Sequence, residues 1–200
     1  MAVTENDLVK VRYRHVVNAP IEPAWKTLRD FGSLLHWVAG GDRGWLRISG
    51  EGVGALRDFK LPSVGEVQHR LDLLDDDAKQ IVYTLTRGTP LGMLRYSVSI
   101  KLFERGELTG MEWVGEFEPE AGANSDEMSK RLASAYQDMS ERFSAYVSAW
   151  SLELGAWRYR VPSMISRHRT VCDPSYHVNP KCGLSATVDD GKNIVFGPAD

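Results

Sequence analysis

Apolar side chains change their spacing along this chain, and the changes mark its elements. Between Leu8 and Val17 the branched residues Val9, Val11, Val16 and Val17 recur as in a first strand, which Asn18-Ala19-Pro20 ends. From Ile21 the period lengthens: Ile21, Trp25 and Leu28 share one helical face, with Pro23 acceptable only in a first turn. Gly32 interrupts that helix, and Leu34, Leu35 and Trp37 predict a second short one. After Gly40, Gly41 and Gly44, alternation at two-residue steps predicts strands over 45–50, 53–61, 65–74, 79–87, 93–104 and 108–118. The turns between them are too short for parallel crossovers, so an antiparallel meander is expected.

The next segment returns to helical spacing. Met128, Leu132, Ala135, Met139, Phe143, Tyr146, Trp150 and Leu154 recur at three- and four-residue steps, which predicts one helix. Its length is about 30 residues, or about 45 Å. Asn124 and Glu127 have capping-box spacing at its start, and Gly155 is a natural stop. Such a stripe needs an apolar cover, and the sheet is the available one. The expected class is therefore α+β, a curved antiparallel sheet wrapped around a long C-terminal helix. Residues 1–157 form that domain. Residues 158–200 form a proline-punctuated tail, expected as a lid or as disorder.

Strand parity also assigns faces. Val67, Leu71 and Leu73 place His69 on the covered side, and Ala55 and Phe59 place Arg57 there. Ile81, Tyr83 and Leu85 face inward, as do Tyr96, Val98, Ile100 and Leu102, and Met111, Trp113 and Phe117. Polar groups on an apolar face cost free energy unless they find a partner or a ligand, so Arg57 and His69 are the candidate site. Their structural alternatives are a backbone carbonyl for His69 and Glu112 for Arg57. The aromatic residues have core packing as theirs.

Composition narrows the function. At 200 residues, 42% hydrophobic and 26% charged, the chain is ordinary for a globular domain. A net charge of −3 and no cluster of Lys and Arg argue against nucleic acid. No run of about 18 apolar residues is present, and Met1–Asn6 does not read as a signal peptide, so no membrane span and a cytoplasmic location are expected. Gly50 to Gly54 has no helix after it to hold a dinucleotide, and Asp75-Asp76-Asp77 reads as a solvated turn. His168, Cys172, His177 and Cys182 match no familiar zinc spacing, and Cys172 with Cys182 leaves a disulfide open. No cofactor and no metal are expected, and a homodimer is left open.

The order strand, two short helices, meander, long helix resembles the helix-grip fold of the START/Bet v 1-like (SRPBCC) superfamily. Segment 17–37, with Ala19-Pro20, Trp25, Asp30-Phe31 and Trp37, is similar to the opening of polyketide cyclase/dehydrase-like proteins. Gly52-Val53-Gly54-Ala55-Leu56-Arg57, Tyr83, Pro90, Tyr96 and Gly110-Met111-Glu112-Trp113 follow in the same order, so the likeness covers residues 8–155. Leu61-Pro62-Ser63 and His69-Arg70-Leu71 also resemble the gate region of plant abscisic-acid receptors, without their second loop. His69 departs from the cyclase-like pattern, which commonly has an acidic residue there.

The resemblance implies an internal cavity for a small hydrophobic or aromatic molecule, with cyclisation or dehydration by acid–base catalysis as the enzymatic reading. His69 would move a proton, while Arg57 and Tyr83 or Tyr96 stabilise an enolate. Trp37, Tyr96, Met111, Trp113, Phe117, Tyr136, Met139 and Phe143 are the expected substrate-binding residues. A non-catalytic carrier of a hydrophobic metabolite is the alternative reading. A third is a protein-interaction module with a filled interior.

Overall fold

The computed structural model describes residues 8–153, 184–189 and 193–198. Its elements run β1 (Val9–Val17), α1 (Ile21–Leu28), α2 (Leu34–Trp37), β2 (Trp45–Ser49), β3 (Leu56–Leu61), β4 (Gly65–Asp75), β5 (Gln80–Arg87), β6 (Met93–Arg105), β7 (Leu108–Pro119), α3 (Ser125–Glu153), β8 (Leu184–Asp189) and β9 (Asn193–Pro198). The sheet order is β2-β3-β4-β5-β6-β7-β1-β9-β8. Strands β2 to β7 form the antiparallel meander, and β7 pairs with β1 to return the chain to its start. With α3 packed inside the curve, this is the helix-grip fold.

Strands β8 and β9 are a difference from the expected tail. They pair antiparallel with each other, and β9 adds in parallel to β1 through Val11↔Ile194, Arg12↔Val195 and Tyr13↔Phe196. Their sequence signal is two β-branched runs flanking Asp190-Gly191, a hairpin pattern that the prolines around it overshadow. The expectations for Leu154, Gly155, Cys172 and Cys182 lie outside the described residues. Among the described residues, no helix is long and apolar enough to cross a membrane.

Helix α3 begins where Asn124 Oδ1 accepts from the backbone N–H groups of Asp126 and Glu127, at 3.0 and 3.1 Å. Glu127 does not complete a capping box and instead pairs with Arg131. The buried face of α3 runs through Met128, Leu132, Ala133, Tyr136, Ser140, Phe143, Ser144 and Val147. Ala135 and Met139 of the predicted stripe lie at its edge, half-buried. The rotation follows from serines that bring the helix close to the sheet. Ser140 Oγ accepts from Trp113 Nε1 at 2.9 Å, and Ser144 Oγ accepts from the Asn18 N–H at 2.9 Å.

The predicted parity of β4 holds through Leu71, after which a register irregularity between Leu71 and Leu73 turns Leu73 outward, 37% exposed. Leu74 takes its place against the core. Asp75-Asp76-Asp77 does more than meet solvent: Asp75 Oδ1 accepts from the N–H groups of Asp77 and Ala78, and Asp76 accepts from Trp25 Nε1 at 2.8 Å and pairs with Arg29. The β4–β5 turn is thereby fastened to α1.

Close packing between sheet and helix depends on one glycine. A Cβ at Gly115 of β7 would stand 2.0 Å from the Tyr136 hydroxyl oxygen. Gly115→Ala should therefore cost about 1–3 kcal/mol in urea unfolding. Adding Tyr136→Phe, which removes the clashing oxygen, should recover part of the loss; strict additivity of the two changes would refute the packing argument.

Candidate functional site

Where α3 leaves the sheet, the inward faces of β3, β4, β5 and β6 enclose a cavity of about 310 Å³. Its walls are mostly apolar, including Phe59, Val67, Met93 and Leu132. Ser63 and Val64 from the β3–β4 turn and Pro90 and Leu91 from the β5–β6 connection also contribute to the lining. Leu91 holds a left-handed φ of 55°, an unfavourable conformation for a branched side chain that puts it partly in solvent.

Arg57 and His69 lie directly opposite each other in the β3–β4 ladder. Both face the cavity wall, only 4% and 6% exposed. Arg57 Nη1 donates to the Phe31 carbonyl at 3.0 Å, and Nη2 donates to His69 Nδ1 at 3.2 Å. The guanidinium carbon sits 4.0 Å from the Phe31 ring centroid and 5.0 Å from that of Tyr83, so aromatic faces replace part of its hydration. Among the described residues no carboxylate pairs with Arg57; Glu112 pairs with Arg12 and Arg14 on the outer face.

This contact assigns a tautomer. A guanidinium can only donate, so His69 Nδ1 must be the acceptor and Nε2 carries the hydrogen. Arg57 Nε and His69 Nε2 are both buried without a hydrogen-bond partner among the described residues. Burial, and then the Arg57 charge, hold the His69 pKa well below its ordinary value, so the imidazole is neutral at pH 7. Burial pushes Arg57 down to about 10, which still leaves it charged. Tyr83 stacks on His69 with ring centroids 4.8 Å apart, and burial raises its pKa against the opposing Arg57 charge.

Of the expected substrate-binding residues, Tyr96 and Met139 line the cavity. Trp37, Met111, Trp113, Phe117, Tyr136 and Phe143 do not; they are packed in the adjoining core. Trp113 stacks on Tyr136 at 4.9 Å, and Trp37 meets Phe143 edge-on at 5.3 Å. Parity determines which face a residue takes but not how far along the sheet the helix fills the interior. Sequence reasoning missed Phe31, which supplies both a carbonyl and a ring to Arg57. It also missed the role of Leu132 and Ala135 in the cavity wall, although both belong to the predicted helical stripe.

A family model described as polyketide cyclase / dehydrase and lipid transport matches residues 9–148. The chain belongs to this family. Among solved structures, this cyclase/dehydrase family member is similar to XoxI from Bacillus cereus, with 19% identity over 72% of this chain and 98% of that one and a TM-score of 0.62. It is also similar to a norcoclaurine synthase point mutant from Thalictrum flavum in complex with a transition-state analogue, at 18% identity, 72% and 96% coverage and a TM-score of 0.58. Ara h 8.0201 matches at 17% identity, 71% and 99% coverage and a TM-score of 0.56. These likenesses show a shared Bet v 1-like fold. No curated protein sequence matches the chain.

The neutral imidazole has a measurable consequence. Unfolded, His69 takes up a proton below about pH 6.5, while the folded chain resists it until lower pH. Unfolding thus binds a proton in that window, and stability falls as pH drops below 6.5, by up to about 1.4 kcal/mol per pH unit. Urea unfolding of wild type and His69→Gln at several pH values between 7 and 5 should show the wild type losing stability more steeply. Parallel curves would mean that the imidazole is not held neutral.

Proposed function

We propose that this cyclase/dehydrase family member binds a small organic molecule with an apolar body and promotes its cyclisation or dehydration by stabilising a developing enolate oxygen. One observation carries the reading: two buried donors without partners among the described residues, Arg57 Nε and His69 Nε2, belong to side chains that line a mostly apolar cavity of about 310 Å³. Partnerless buried donors are costly, and a ligand oxygen is the partner that would relieve them.

In this reading the substrate carbonyl oxygen accepts from His69 Nε2–H and from Arg57, with Tyr83 beside them. When an α-proton is lost to water, negative charge grows on that oxygen. Fixed donors in a low-dielectric site favour this charge more than they favour the neutral carbonyl. The enolate then re-forms the carbonyl and expels the β-hydroxyl as hydroxide, which takes up the proton held by that water, so one water is lost as the Cα=Cβ bond forms. His69 acts here as a donor and not as a proton carrier, since its Nδ1 lone pair is engaged by Arg57 and its charged form is disfavoured.

A second reading, binding or transport without chemistry, has its own support. Among the described residues lining the cavity the one carboxylate is Asp138, which is held by Arg142, so no side chain stands free as a base. The family description covers both cyclase/dehydrase and lipid transport.

Dehydration of 4-hydroxy-4-phenylbutan-2-one to the conjugated ketone, followed by ultraviolet absorbance, separates the two. Catalysis predicts acceleration over buffer that falls about 10²–10³-fold in His69→Phe and in Arg57→Met. Binding of this ketone with no acceleration would leave the transport reading in place.

A further inference from the structure

The donors at the base of the cavity include a third group, and its orientation follows from residues behind it. Tyr96 lines the cavity, and its hydroxyl lies 2.8 Å from that of Tyr136. Two hydroxyls that share one hydrogen bond leave one proton over. Tyr136 is fully buried between Trp113 and Gly115, and among the described residues its hydroxyl hydrogen-bonds to that of Tyr96 alone. If Tyr96 donated to Tyr136, the spare proton would point into packed core with no other acceptor among the described residues, which is unfavourable for a buried donor. Tyr136 therefore donates to Tyr96, and Tyr96 turns its proton toward the cavity. Tyr136 is a positioning residue, and the missing side chain at Gly115 is what lets its hydroxyl reach this place.

Arg57, His69 and Tyr96, each carrying a hydrogen-bond donor, all belong to the cavity lining. The Tyr96 ring centroid lies 6.4 Å from that of His69, so one bound group can reach both side chains. The guanidinium adds a full positive charge that is paired with no carboxylate among the described residues. A neutral carbonyl would satisfy the donors and leave that charge uncompensated, and an uncompensated buried charge is among the costlier features a fold can retain.

We propose that the cavity takes an organic anion, a flat aromatic or alicyclic body bearing a carboxylate, whose oxygens accept from Arg57, His69 and Tyr96 and whose charge is the counter-charge of Arg57. The proposal rests on the reading of the cavity as a ligand site, and it is independent of whether chemistry follows. The rings of Phe59, Tyr83 and Tyr96 supply flat surfaces for the body. A carboxylate also answers the donor set by its own chemistry, because it accepts at every lone pair and donates at none.

Two probes of nearly equal shape test this, 2-naphthoate and the neutral ketone 2-acetonaphthone, titrated by calorimetry into the full-length chain at pH 7. Naphthoate should bind about 100-fold more tightly, the scale of charge-assisted hydrogen bonds formed out of water. Arg57→Met should abolish that preference by weakening naphthoate far more than the ketone, and Arg57→Lys, which keeps the charge and guards against misfolding of the first variant, should retain part of it. Tyr136→Phe, remote from the cavity, should narrow the preference several-fold by freeing the Tyr96 proton to turn away. Equal affinities for the two probes overturn the anion proposal and leave the ligand site standing. Failure of both to bind wild type overturns the anion proposal and the ligand-site reading with it.

Discussion

A positive charge buried among aromatic rings is the constraint on which this site depends. Arg57 is held by one backbone carbonyl, one imidazole nitrogen and the faces of Phe31 and Tyr83. Each of these lowers the cost of desolvating a guanidinium, and none carries negative charge. His69 is consequently fixed as a neutral acceptor at Nδ1 and a donor at Nε2. With a histidine and not a carboxylate opposite Arg57, its cross-strand partner supplies no counter-charge. The neutral imidazole and the charge without a carboxylate partner among the described residues are thus two aspects of one arrangement.

The scaffold makes room for that arrangement by packing unevenly. Helix α3 lies mainly across β1, where Ser140 and Ser144 allow close approach and Trp113, Tyr136 and Phe143 fill the interior. Toward β3 to β6 the helix presents Leu132, Ala135 and Met139, and a hollow remains. The packed end fixes the helix, and the hollow end is free to differ in lining without loss of the fold. Tyr96 and Tyr136 sit at the junction, so their shared hydrogen bond connects the core to the cavity wall.

Much of the fold could be read from residue spacing because period-two and helical stripes are long and uninterrupted here. The inward placement of Arg57 and His69 came from parity alone. Their mutual contact was also within reach: a tight connection at Pro62-Ser63-Val64 pairs Leu61 with Gly65 and, counting outward, Arg57 with His69. Other features lie beyond local pattern. The irregularity after Leu71 reverses the face of Leu73, and nothing in the spacing of the strand announces it. Trp113 and Tyr96 share inward parity, yet one is core and the other cavity wall, because the depth to which a helix fills a curved sheet is a tertiary property. Phe31 reaches Arg57 from a segment outside the strands, which strand alternation does not address.

The protonation pattern of His69 is the most direct measure of this arrangement. Long-range proton–nitrogen NMR correlations of the imidazole distinguish its two tautomers and its charged form. A neutral ring with the hydrogen on Nε2 is expected at pH 7 and, because burial and the Arg57 charge hold the pKa well below its ordinary value, still at pH 6.5, with an Nε2 resonance that moves when an anionic ligand binds. A ring that carries its hydrogen on Nδ1, or one already half charged at pH 6.5, would contradict the contact with Arg57 on which the site depends.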